Sequence, residues 1–167
     1  NTGSIISQDI YEHKIKLMKA YANRLGLKNM EPGLGDALVL NEDYIGGFDY
    51  VLCDVPCSGM GIVRRKPEIK YKKEDEVLGL PEIQYKILEN ASSYLKKGGI
   101  LIYSTCTIFC EENVDIVEKF LSNHEDFILD DISHVDKSLE LDNKGLIKIL
   151  PDQQDMDGFF ICRMKKI

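Results

Sequence analysis

Asp54 and Cys57 stand close together in Asp54-Val55-Pro56-Cys57-Ser58-Gly59-Met60-Gly61, directly after an apolar run over residues 48–53. That run reads as a buried strand, so the acid and the thiol fall in the loop at the strand's carboxyl end. In open α/β sheets that edge is where ligands bind. A second stretch, Gly98-Gly99-Ile100-Leu101-Ile102-Tyr103-Ser104-Thr105-Cys106-Thr107, repeats the arrangement with a turn, an apolar strand and a cysteine at its end. Two thiols and a carboxylate at one sheet edge support covalent chemistry through a thiolate, although spacing does not say which thiol attacks. The rival chemistry is a structural zinc site using Cys53, Cys57, Cys106 and Cys110. Zinc modules favour tighter knuckle spacing, and Cys53 should point into the core. Cys53 and Cys162 read most simply as small buried apolar side chains, and Cys110 as a helix-start residue.

The elements that must position these groups follow from periodicity. Residues 4–7 read as a short strand ending at Asp9. Ile15, Met18, Ala22 and Leu25 recur at helical spacing over residues 11–25, and Gly26 closes that helix. Asp9 is then either the N-cap of that helix or a strand-end acid placed to accept bonds from ribose hydroxyls. Residues 29–31 form a weak strand before the Pro32-Gly33 turn. A helix is expected over residues 81–97, with Pro81 in its first turn and Gly98 ending it, and another over residues 111–122. Residues 127–132 and 159–164 read as strands, and residues 133–146 as a polar loop between them. Strands alternating with helices of this length predict an α/β fold with a mostly parallel sheet. The last two strands, joined without a clear helix, suit an antiparallel hairpin at one edge.

Composition bounds the remaining possibilities. The 167 residues suffice for one domain with a sizeable core. No apolar run reaches membrane-spanning length, and residues 1–4 lack signal-peptide character. Five cysteines without a scaffold pattern point to reduced thiols and the cytoplasm. The net charge of −7 argues against nucleic acid, but its distribution argues the other way. Arg64, Arg65, Lys66, Lys70, Lys72 and Lys73 cluster beside the candidate site, opposed only by Glu68. Such a loop can contact phosphates on an acidic protein; the plain alternative is a solvated charged loop.

With these residues in place the sequence resembles the RsmB/NOP2/Sun RNA (cytosine-5)-methyltransferases. The likeness rests on Asp54 and its Pro56-Cys57, on Arg64-Arg65-Lys66-Pro67-Glu68, and on Gln84 and Gly98-Gly99. It continues through Tyr103-Ser104-Thr105-Cys106 and Glu112-Asn113 to the closing Asp157-Gly158-Phe159-Phe160. It implies a Rossmann-like S-adenosylmethionine-dependent methyltransferase fold and methylation of cytosine C5 in RNA. Small-subunit ribosomal RNA is the substrate of the bacterial Sun/RsmB branch. Cys106 would be the nucleophile and Cys57 the residue that resolves the adduct. Asp54 would hydrogen-bond the cytosine ring edge and touch the cofactor. Asp9 would hold the ribose of S-adenosylmethionine and Asp36 its adenine amino group, while Arg64, Arg65 and Lys66 hold RNA phosphates. Where the family often has arginine five residues after the ribose acid, this chain has Lys14. A protein that kept the fold but only binds RNA is the other alternative; two cysteine motifs together with Asp54 speak against it. The family's glycine-rich loop has no counterpart here, since Gly33-Leu34-Gly35 is too short and badly placed. Residues 1–167 are therefore expected to form a single, N-terminally incomplete catalytic domain lacking its first strand. Such a domain should bind cofactor weakly, be inactive alone, and self-associate through the unfilled sheet position.

Overall fold

In a computed structural model, residues 2–73, 75–132, 145–154 and 156–167 are described. They form two compact units, one ending at Leu40 and the other beginning at Asn41.

The first unit is a parallel strand pair with one helix. β1 (Ile5–Asp9) pairs with β2 (Met30–Leu34), Ile5 opposite Met30 and Asp9 opposite Leu34. α1 (Glu12–Leu25) connects them and buries Ile15 and Ala22, two turns apart on one face. Gly26 ends it with φ 67°, a left-handed conformation suited to glycine. The helix's N-cap is Tyr11, not Asp9, so the N-cap reading of Asp9 is corrected.

The second unit is built on a five-stranded sheet. β3 (Phe48–Asp54) pairs in parallel with β4 (Leu95–Thr105), Asp54 opposite Ser104. β7 (Phe159–Lys166) runs antiparallel to β4 on its other side. The far edge of β7 is shared by β5 (Phe127–Leu129) and β6 (Leu146–Ile149), both antiparallel to it. β3, β4, β5 and β6 thus share one direction and only β7 opposes them, which gives the mostly parallel sheet with an antiparallel edge. The expected antiparallel pairing of the last two predicted strands is present as β5 with β7, but they are not a simple hairpin, since β6 comes between them in the chain and pairs with β7 as well. A short helix, α5 (Pro151–Gln154), follows β6. The rest of the expected loop over residues 133–146 lies outside the described residues, apart from Gly145 and the start of β6.

Two helices cover one sheet face. After the short α2 (Asp75–Leu78), α3 (Leu80–Ser93) turns Leu88 and Ala91 inward, and α4 (Val114–Asn123) turns in Ile116, Val117 and Phe120. These meet Cys53, Leu101, Tyr103, Phe160, Cys162 and Met164 from the strands in one core. Leu88 has no exposed surface; truncating such a leucine to alanine costs about 2–5 kcal/mol. Along β3 the alternation puts Cys53 into this core and leaves Tyr50 and Leu52 on the other face, 71% and 67% exposed.

Two helix boundaries differ from expectation. α3 stops at Ser93, before Lys96 and Lys97, because Leu95 is fully buried and already pairs with Phe48. Tyr94 anchors the turn, its hydroxyl accepting the Asn41 N–H at 3.0 Å. α4 starts three residues late: residues 110–112 form a 3-10 turn that draws Glu112 inward, and Asn113 (φ −120°, ψ −95°) breaks the helix there.

Candidate active site

The parallel register of β3 and β4 carries their two following loops to the same sheet edge. There the sulfurs of Cys57 and Cys106 lie 3.3 Å apart. The Cys106 N–H also points at Cys57 Sγ, at 3.4 Å. Both side chains are partly exposed, and Asp54 is exposed at the end of β3, close enough for its charge to act on Cys106. The thiols, unlike Cys53 and Cys162, are therefore reachable from solvent.

The two thiols share their protons unequally. The hydrogen bond from Cys57 pulls the Cys106 pKa down to about 7. Partial burial and the Asp54 carboxylate oppose this; a backbone hydrogen bond and the Lys72 ammonium assist it. Cys57 moves the other way, raised chiefly by its bond to Cys106 and then by burial. The contact between the sulfurs thus lowers the pKa of Cys106 and raises that of Cys57, and the Lys72 charge acts in the same direction on Cys106. Cys53 and Cys162 are pushed up to about 12 by burial alone.

From these causes the pH behaviour follows with its sign. A thiolate is the form that alkylates, and it accumulates above the pKa. Cys106 should react with iodoacetamide half-maximally near pH 7. Lys72→Met removes a stabilising cation and should move that midpoint up; Asp54→Asn removes an opposing anion and should move it down. Peptide mapping of alkylation against pH reads both, and shifts of the opposite sign would refute the electrostatic assignment.

Several polar side chains, all but Lys72 buried, fix the two loops. Ser58 Oγ meets Thr107 Oγ1 at 2.7 Å. Lys72 donates to the Ser58 carbonyl at 2.8 Å. Thr105 donates to Asn113 Oδ1 at 2.6 Å, and Asn113 Nδ2 donates to the Thr107 carbonyl at 3.0 Å. Gly61 donates its N–H to the Cys106 carbonyl at 2.9 Å and accepts from the Gly158 N–H at 2.7 Å. In the sequence Lys72 belongs to the basic loop and Gln84 and Glu112-Asn113 to the motif residues, but no part in holding the thiols was legible there for any of them, nor for Gly61. One signal was available: Gln84 shares the buried face of α3 with Leu88 and Ala91, at positions four and seven residues on. A polar residue on an apolar stripe needs partners.

The remaining predicted residues fall as follows. Arg64 and Arg65 line an open cleft of about 490 Å³ with Met156 and Asp157. Arg65 is already ion-paired with Asp157, Nε to Oδ2 at 2.5 Å. Lys66 is exposed. The four cysteines of the zinc reading are not assembled: Cys53 is in the core and Cys110 is exposed. Among the described residues no group of three or more His, Cys, Asp or Glu side chains could hold a metal. Among them also, no helix is long and apolar enough to cross a membrane.

In the first unit Asp9 and Asp36 lie at or just past the carboxyl ends of β1 and β2. Asp9 accepts the Tyr11 N–H and the Lys14 ammonium, each at 3.0 Å. Burial tends to raise its pKa, but these bonds and the Lys14 charge prevail and lower it. Asp36 is exposed and accepts the Leu38 N–H at 2.9 Å.

The family described as 16S rRNA methyltransferase RsmB/F matches residues 1–165. A probable ribosomal RNA small subunit methyltransferase B of Bacillus subtilis is 43% identical over 99% of this chain and 38% of its own length. The crystal structure of PH0851 superposes with a TM-score of 0.90 at 30% identity, over 98% of this chain and 37% of that one. NSun6 from Pyrococcus horikoshii, solved with SFG, gives 0.84 at 27% identity, over 98% and 41%. The chain thus spans well under half the length of these relatives.

Proposed function

Because the chain belongs to the 16S rRNA methyltransferase RsmB/F family, we propose that it carries the catalytic thiols of an enzyme methylating C5 of a cytosine in small-subunit ribosomal RNA. A cytoplasmic location follows from that substrate. The observation that carries the reading is the 3.3 Å pair of Cys57 and Cys106, with the latter titrating near 7.

C5 of cytosine is a weak nucleophile, so the ring must be activated covalently. The Cys106 thiolate adds to C6 and pushes electrons toward C5, while Asp54 hydrogen-bonds the ring edge and favours its electrophilic, protonated form. Once C5 bears the methyl group, Cys57 assists loss of the C5 proton. The C6–S bond then breaks and Cys106 leaves as a thiolate, restoring aromaticity. The lowered pKa of Cys106 suits this division, since a thiolate is the attacking form. The target base must be unstacked to reach this edge, which favours a loop or single-stranded RNA.

S-adenosylmethionine supplies an electrophilic methyl group when bound. Asp9 and Asp36 fit its nucleoside half. Each stands at the carboxyl edge of a parallel strand pair, where α/β sheets bind nucleotides. A carboxylate has roughly four lone-pair sites. Asp9 uses two of them on Tyr11 and Lys14, which leaves acceptors for a vicinal diol. Asp36 is assigned to the adenine amino group. Arg64, Arg65 and Lys66 hold phosphates, with phosphate displacing Asp157 from Arg65.

The test uses an enzyme of family length carrying this chain, 16S rRNA and S-adenosylmethionine labelled in its methyl group. Digestion to nucleosides should place the label in 5-methylcytidine; label in another nucleoside or in ribose would overturn the assignment. Arg64→Ala with Lys66→Ala should flatten the salt dependence of RNA binding by roughly one unit of slope per lost phosphate contact. An unchanged slope would return these residues to a solvated loop.

A further inference from the structure

Glu112 is 2% exposed, yet it is a carboxylic acid in the protein core. Burying such a group is costly unless it is well bonded, and its bonds all lead to one place. Oε2 accepts the Ser58 N–H and the Gln84 Nε2–H, both at 2.8 Å. Gln84, with no exposed surface, donates from the same nitrogen to the Pro56 carbonyl at 2.9 Å. The residues on either side of Cys57 are therefore gripped, Ser58 by Glu112 directly and Pro56 through Gln84.

The other end of Glu112 belongs to Cys106. Its backbone carbonyl accepts the Tyr103 hydroxyl at 2.6 Å, and Tyr103 lies on β4, the strand that delivers Cys106. The next residue, Asn113, binds Thr105 and Thr107, the two neighbours of Cys106. The dipeptide Glu112-Asn113 thus brackets both cysteines from a single turn. Cys57 and Cys106 sit on separate loops 49 residues apart in sequence, and a sulfur–sulfur contact of 3.3 Å needs those loops held in register. Glu112 and Gln84, both buried, supply the hold on the Cys57 side.

We infer that Glu112, with Gln84, is the positioning residue of the thiol pair: it fixes the Pro56–Ser58 backbone so that Cys57 meets Cys106. This rests on the function proposed above, but its test needs neither RNA nor methyl donor, so the two can fail separately. Failure of methyl transfer leaves the clamp standing, and failure of the clamp leaves the methyl transfer reading standing.

The measurement is the pH midpoint of Cys106 alkylation, read by peptide mapping in a Cys110→Ser background. Glu112→Ala frees the Ser58 N–H and loosens Gln84. Cys57 then swings away and no longer donates to Cys106. The midpoint should rise by about one unit or more, toward the ordinary thiol value of roughly 8.5. Glu112→Gln keeps an acceptor oxygen where Oε2 sits and places its amide where Oε1 has no partner, so it should restore the midpoint. Leu88→Ala weakens the same core without touching either loop and should leave the midpoint in place, which separates positioning from general loosening. If Glu112→Ala does not fold, Gln84→Met decides: releasing the Pro56 carbonyl should raise the midpoint in the same direction. A folded Glu112→Ala with an unchanged midpoint overturns the inference. So does a Glu112→Gln that shifts as far as alanine, since charge and not hydrogen-bond geometry would then be responsible. An unchanged midpoint in Gln84→Met, should it be the deciding variant, also overturns it.

Discussion

Cys57→Ala, placed in an enzyme of family length, should remain covalently attached to its methylated RNA, whereas Cys106→Ala should form no attachment. Both should lose turnover, for different reasons. On the proposed mechanism nothing adds to C6 without Cys106, so C5 is never activated. On the same mechanism, without Cys57 the Cys106 thiolate should still add and C5 should still be methylated, but the C5 proton should stay and the thiolate should be unable to leave. The sulfurs are 3.3 Å apart, so alanine at position 57 also removes the hydrogen bond that lowers the Cys106 pKa. Addition should therefore be slower at neutral pH and recover as the pH is raised toward 8.5, the ordinary thiol range at roughly that value. A denaturing gel after incubation with RNA and S-adenosylmethionine reads the outcome: a slow-migrating, detergent-resistant band for Cys57→Ala and none for Cys106→Ala. The reverse pattern would exchange the two roles. No band from either variant would remove the support for covalent catalysis.

Gly61→Ala should be among the most damaging small substitutions in the chain. The Gly61 N–H holds the Cys106 carbonyl, and its own carbonyl is held by Gly158. A Cβ on residue 61 would stand 2.2 Å from the Gly158 oxygen and 2.8 Å from the Cys106 oxygen. Both are backbone atoms, so no side chain can swing aside. Overpacking of this kind typically costs about 1–3 kcal/mol, occasionally more. In a chain of this size each kcal/mol lowers the melting temperature by roughly 2–4 °C. The displaced Cys106 carbonyl should also move the alkylation midpoint of its thiol, so stability and reactivity should change together. A melting temperature within a degree of the parent's would show that the contact relaxes freely. The same interlock explains the closing Asp157-Gly158 pair: Gly158 meets Gly61 backbone to backbone, and Asp157 pairs with Arg65.

Local patterns carried much of this protein. The apolar run over residues 48–53 and its acid gave β3 to its last residue, because a strand buried on one face and ended by a polar loop has unambiguous limits. α1 was legible from Ile15 and Ala22, and its end from Gly26. The two cysteines were placed at one sheet edge because parallel strands necessarily end on the same side. What sequence alone left open depends on contacts between distant residues. β6 is only four residues long, and its pairing with β7 is set by register across the sheet, which no local pattern encodes. The end of α3 was decided by Leu95, whose burial beside Phe48 outweighed the helical character of the lysines after it. Nothing local in the sequence says which contacts Lys72, Gln84, Glu112 and Asn113 make. Packing of α3 and the Cys110–Glu112 turn against β4 encloses three of them, and burial then obliges each to bond the loop beside it. The sequence supplied the thiols; the tertiary structure brought them within 3.3 Å and lowered the pKa of Cys106, because separation and burial, which govern proton sharing, exist only in the folded chain.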